Sequence, residues 1–225
     1  MTLLRTTVAV AVKDLRLEMR RRETLNFVLP FAATLLLTFG LALGPGREPI
    51  SNAAPAILWL VLLFGGILLL RRSFDAENED DAYEGLVLAP ADRAGIFLGK
   101  LIAVAVQLIV LQGFSLLGAI FFFDIALKVD VPIVALAFVL GAVGLSAVGT
   151  IFAALSTRAR AREALLPLLI LPLVVPVLLA GIRVTQSATA AHGDDVSPWL
   201  TLLAVFALIG TAAGALLFEH VLEDA

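Results

Sequence analysis

Arg71-Arg72-Ser73-Phe74-Asp75-Ala76-Glu77-Asn78-Glu79-Asp80-Asp81-Ala82-Tyr83-Glu84-Gly85 interrupts an otherwise apolar chain. Six acids fall between Asp75 and Glu84, and a single charge at the centre of a bilayer helix costs on the order of 2.5 kcal/mol or more. The stretch therefore lies outside hydrocarbon, and the apolar runs on either side of it become the spans that it separates.

Those runs dominate the composition. Of 225 residues, 60% are hydrophobic and only 16% are charged, and the mean hydropathy of +1.02 lies far above that of a water-soluble domain. The sequence reads as an integral membrane protein. A net charge of -3 argues against nucleic-acid binding, which needs a basic face. The chain has no cysteine and two histidines, His192 and His220, so thiolate metal sites, iron–sulfur clusters and thioether-linked haem are excluded.

Six apolar runs follow one another: 25–43, 53–70, 95–123, 131–155, 164–182 and 199–218. Each approaches or exceeds the ~20 residues that a helix needs to cross ~30 Å of hydrocarbon. The first run is too long for a signal-peptide core and lacks a small-residue cleavage site, so it is expected to stay as a span. Six spans put both termini on one side. Thirteen of the sixteen Lys and Arg residues fall on that side, with Arg47, Lys128 and Arg183 on the other. The excess of basic residues in cytoplasmic loops then places both termini, and the 71–94 segment, in the cytoplasm.

Residues 2–24 precede the first span. Leu4, Val8, Val12, Leu15 and Met19 share one helical face, while Arg5, Lys13, Asp14, Arg16 and Glu18 take up much of the rest. This pattern predicts an amphipathic helix in the lipid headgroup layer. The loops on the opposite side are short: 44–46, 124–130 and 185–198. One domain over 1–225 is expected, an all-α bundle of six transmembrane helices with an interfacial helix at its start.

Few residues offer chemistry. Gly95-Ile96-Phe97-Leu98-Gly99-Lys100 superficially suggests a phosphate loop, but its glycines are one residue too close. Leu101 also stands where Ser or Thr would hold the metal. Gly95 and Lys100 instead mark the start of the third span, with the Lys100 amine expected to reach the headgroups. Nucleotide hydrolysis must then occur on another chain. Pro167, Pro172 and Pro176 in the fifth span predict a bent or locally unwound helix and a candidate hinge. Small residues four apart, Gly40/Gly44, Ala142/Ser146/Thr150 and Gly210/Gly214, permit close helix packing. Gln107 and Gln112 are expected to hydrogen-bond between helices, the alternative being that they face a cargo path. No membrane-embedded acid or base stands clear of the span ends, which disfavours an ion-coupled carrier and an intramembrane enzyme.

The charged segment itself is expected to be a short acidic helix. Ser73 is its cap, Asp75, Glu77 and Glu79 lie in its first turns, and Leu86 to Leu88 return the chain to the membrane. Phe74 and Tyr83 are aromatics that a purely solvating loop would not need. Docking to a cytoplasmic partner accounts for them, through Phe74, Glu77, Glu79, Asp80, Tyr83, Glu84 and Leu86.

Four groups of residues together resemble the CcmB family of cytochrome c maturation. They are Pro55-Ala56-Ile57-Leu58-Trp59, the pattern from Arg72-x-Phe74 to Glu84-x-Leu86-x-Leu88-x-Pro90, Gly99-Lys100, and Leu171-Pro172-Leu173-x-x-Pro176. The resemblance implies a multi-pass, non-catalytic permease subunit of an ABC-type complex in the bacterial inner membrane. ATP would be hydrolysed on a CcmA-like ATPase that docks on 73–89. CcmC- and CcmD-like membrane subunits and a CcmE-like haem chaperone would be its other partners, and haem would be its cargo, with no cofactor or metal held directly. The partner bundle is either CcmC or a second copy in a homodimer. His192 reads as a solvated loop residue rather than a haem ligand. A permease of the wider ABC-2 group for a lipid or drug, and an ATP-independent carrier, are the alternative readings.

Overall fold

A computed structural model describes residues 2–21, 23–43, 47–79, 92–123, 131–156, 162–189 and 195–223. All the secondary structure among them is helical. The helices are α1 (Leu3–Arg21), α2 (Glu23–Leu43), α3 (Arg47–Glu79), α4 (Arg93–Phe123), α5 (Val131–Ser156), α6 (Arg162–Thr189) and α7 (Ser197–Glu223). Six of them, α2 to α7, are long and apolar enough to cross a membrane. Helices are required there because hydrocarbon offers no partner to a backbone amide, so every N–H must be satisfied within its own segment.

The centre of the bundle is α3. Its span is 72% buried, against 17% for those of α2 and α7, and it packs on α2, α4, α5 and α6. Glycine sockets allow this approach. Along the α3–α5 seam, Trp59 covers Gly141, Leu145 covers Gly66 and Leu70 covers Gly149. A Cβ on Gly141 or Gly66 would sit 2.5 Å from the covering side chain. With lipid on one side of a helix and helix on the other, such close packing replaces the hydrophobic effect as the source of association. The Gly210/Gly214 pair serves the same end: Gly210 meets Ala147 and Val148 of α5, and Gly214 lies against the Phe97 ring of α4. Ala142, Ser146 and Thr150 are all fully buried, and Gly40 packs on Phe123.

Trp59 joins three helices. Its ring is wholly buried and meets Phe138 edge-on at 5.8 Å between centroids. It also fills the space over Gly181 as well as Gly141. The Nε1–H donates to Thr185 Oγ1 at 3.0 Å, and that hydroxyl donates in turn to the Gly181 carbonyl at 2.8 Å. Thr185 is therefore a buried helical residue of α6, not the first residue of a loop as its polarity suggests.

Three further local expectations change. Ser73 does not cap a new helix: α3 continues unbroken through it to Glu79. The proline-bearing helix α6 is likewise continuous past Pro167, Pro172 and Pro176, so it is not unwound. Gln112 is fully buried, yet neither of its amide atoms has a hydrogen-bond partner. The other buried hydroxyls mostly bond back one turn, as Ser115 does to the Leu111 carbonyl at 2.8 Å.

Candidate functional site

The features gathered at one end of the bundle are α1, the end of α3 and the start of α4. The reach of α3 comes first. At 33 residues it is about 50 Å long, well beyond the ~30 Å of hydrocarbon. Its last turns include Phe74, Glu77 and Glu79 as a direct continuation of the central helix. Where it leaves, the Arg72 guanidinium lies 4.3 Å from the centroid of the Phe27 ring on α2, a cation–π contact between neighbouring helices. Asp80, Tyr83, Glu84 and Leu86, also expected to dock a partner, lie outside the described residues.

Asp92 caps α4. Its Oδ1 accepts from the Gly95 N–H at 3.0 Å, and its carbonyl accepts from the Ile96 N–H at 3.1 Å. An acid here also faces the positive end of the helix dipole. One turn later α1 crosses α4 at Gly95 and Gly99. A Cβ on Gly95 would lie 2.9 Å from the Leu3 carbonyl oxygen, and one on Gly99 would lie 2.8 Å from that of Thr7. Backbone meets backbone at both points, and only glycine permits it.

Lys100 completes this seat. Only 1% of it is exposed, and its Nζ lies 3.6 Å from Asp14 Oδ2 on α1. The expectation that its amine reaches the headgroups is thus wrong: α1 covers it, and a buried ammonium stays where a carboxylate faces it. Asp14 also pairs with the more exposed Lys13 at 3.1 Å. Since Gly95 to Lys100 are helical, with Gly95 and Gly99 covered by α1, they form no phosphate loop.

α1 therefore presents three faces. Thr6, Thr7, Val10, Ala11 and Asp14 turn inward, Thr6 and Thr7 being 2% and 7% exposed. Leu4, Val8 and Met19 stay exposed, as an interfacial helix requires. The sequence signalled the apolar face but not the inward one, since Thr, Ala and Asp make no hydrophobic stripe. The Gly95/Gly99 spacing was the signal available for the contact. Of the candidate hinge residues, Pro172 and Pro176 are exposed on α6 and Pro167 is half-buried. His192 lies outside the described residues. Among the described residues, no group of His, Cys, Asp and Glu could hold a metal ion.

The arrangement holds two helical elements, the α3 extension and the α1–α4 pair, at either end of the same short acidic connection. The family described as CcmB protein matches residues 5–223.

The chain belongs to the CcmB family.

Curated relatives agree in name and extent. Heme exporter protein B of Pseudomonas aeruginosa is 31% identical over 198 residues, covering 87% of this chain and 88% of its own. That of Paracoccus denitrificans is 31% identical over 214 residues, covering 93% and 97%. That of Bradyrhizobium diazoefficiens is 28% identical over 220 residues, covering 96% and 98%. The Trp59 joint and all of the face built by α1, α3 and α4 except Leu3 and Leu4 fall within the part matched to CcmB.

Proposed function

We propose that this chain is the membrane subunit of an ATP-driven complex that exports haem, or releases its loaded chaperone, for cytochrome c maturation. A CcmA-like ATPase binds beneath the bundle and hydrolyses ATP, while this subunit is not itself an enzyme. CcmC- and CcmD-like subunits and a CcmE-like chaperone complete the assembly. The names borne by the relatives support the haem reading. The basic residues crowded on the α1 side support a location in the bacterial inner membrane with both termini in the cytoplasm.

The observation that carries the coupling role is the continuity of α3 from Arg47 to Glu79. A load on 71–79 acts directly on α3, whose span is the most buried of the six. At its other end the acidic segment joins Asp92 and the α1–α4 unit. Phe74, Glu77, Glu79, Asp80, Tyr83, Glu84 and Leu86 are the contacts assigned to the ATPase. Pro167, Pro172 and Pro176 are assigned as the place where α6 flexes when α3 moves.

Deletion of this subunit is expected to abolish covalent haem attachment to c-type cytochromes, read by haem staining, while apocytochrome still accumulates. Complementation by the intact chain should restore it. Normal cytochrome c levels in the deletion strain would redirect the reading to another cargo. A complex that never contains an ATPase in mild detergent would remove both ATP-driven readings.

A further inference from the structure

We infer that α1 is a docking site for anionic phospholipid headgroups. Two stripes run side by side along its exposed surface. Leu4, Val8 and Met19 are 76%, 60% and 73% exposed, and Arg5, Lys13, Arg16 and Arg20 are exposed about 100° further round the helix. Every charged residue on this second stripe is basic. The acids of α1, Asp14 and Glu18, lie on the other flank, where Asp14 meets Lys100 and also pairs with Lys13 at 3.1 Å, so Arg5, Arg16 and Arg20 carry most of the stripe's charge.

This division of the surface fits one environment. An apolar stripe beside six membrane spans enters the boundary between headgroups and acyl chains. Cations along the border of that stripe then sit at the level of the phosphates. Each Lys or Arg near an anionic surface raises its occupancy about fivefold. Because α1 is seated on Gly95 and Gly99, whatever holds it at the surface also bears on the start of α4. Lipid charge would thereby influence the element next to the acidic segment. The inference needs neither ATP nor a protein partner and stands apart from the haem-export reading.

The chain has no cysteine, so Val8→Cys gives a unique site for an environment-sensitive fluorophore. The full-length labelled chain is reconstituted in phosphatidylcholine nanodiscs holding equal small fractions of spin-labelled phosphatidylglycerol or phosphatidylcholine. The expected result is quenching that reports about fivefold or greater enrichment of phosphatidylglycerol near α1. The enrichment should vanish at about 0.5 M salt, where screening is short-ranged, and on replacing Arg5, Lys13, Arg16 and Arg20 by Gln. Equal quenching by the two lipids, no quenching by either, or a preference that survives the Gln substitutions would overturn the inference. If the substituted chain does not reconstitute, the salt titration of the labelled parent decides alone. A basic stripe that instead holds the ATPase would give charge-dependent co-purification with both lipids quenching alike.

Discussion

At the level of single residues, the most consequential finding is that Lys100 turns away from the headgroups to face Asp14 beneath α1. Asp14→Leu leaves a buried ammonium without its carboxylate and is expected to destabilise the bundle by about 3 kcal/mol. The double variant Asp14→Leu, Lys100→Leu should recover most of that loss. Thermal unfolding in detergent reads both, and a double variant no more stable than the single would refute the pairing. The interaction was not legible beforehand. A lysine at the start of a span usually reaches toward water, and nothing local to Lys100 points to an aspartate in a helix far earlier in the chain. Gln112 was legible as a buried amide but not as one left without a partner, because that depends on which side chains surround it.

At the level of elements, the spans were readable because ~20 apolar residues in a row leave little choice in hydrocarbon. Their ends were not. The acids after Ser73 suggested a fresh helix, yet nothing between Leu70 and Glu79 breaks the old one: the interval holds neither Gly nor Pro. Thr185 looked like a loop residue for a related reason. Polarity marks where hydrocarbon ends, and α6 continues past that point to bring Thr185 to the Trp59 indole. The prolines of α6 raise an opposite question, since three of them leave a continuous helix. Pro172→Ala and Pro176→Ala restore backbone donors and stiffen α6. If α6 flexes in the working cycle, the double variant should lower cytochrome c maturation several-fold while thermal stability holds or rises. Unchanged maturation would show that these prolines merely face lipid.

At the level of the whole molecule, Trp59 ties the central helix to α5 and α6. Trp59→Phe removes the Nε1–H bond to Thr185 and should cost about 1 kcal/mol. Trp59→Ala also empties the space over Gly141 and Gly181 and should cost about 3–5 kcal/mol. An alanine variant that melts with the parent would deny Trp59 this joining role. Trp59 was visible in the sequence as part of a family pattern, but its joint was not, since two of its partners are glycines far away in the chain. The six-span layout and the family could be read from sequence because both rest on long patterns. The α3–α5 seam could not, because it depends on glycine sockets whose covering side chains lie elsewhere in the chain, and at the α1–α4 seat the Gly95/Gly99 spacing marked a close contact without naming its partner. If an ATPase drives α3 and α4 through the acidic segment, as proposed, its binding to the detergent-solubilised subunit should fall when Glu79→Lys, Asp80→Lys and Glu84→Lys are combined. Binding about tenfold weaker or more, with insertion and melting unchanged, is the result predicted from reversing charges at a docking surface. Undiminished binding and undiminished ATP turnover would contradict it.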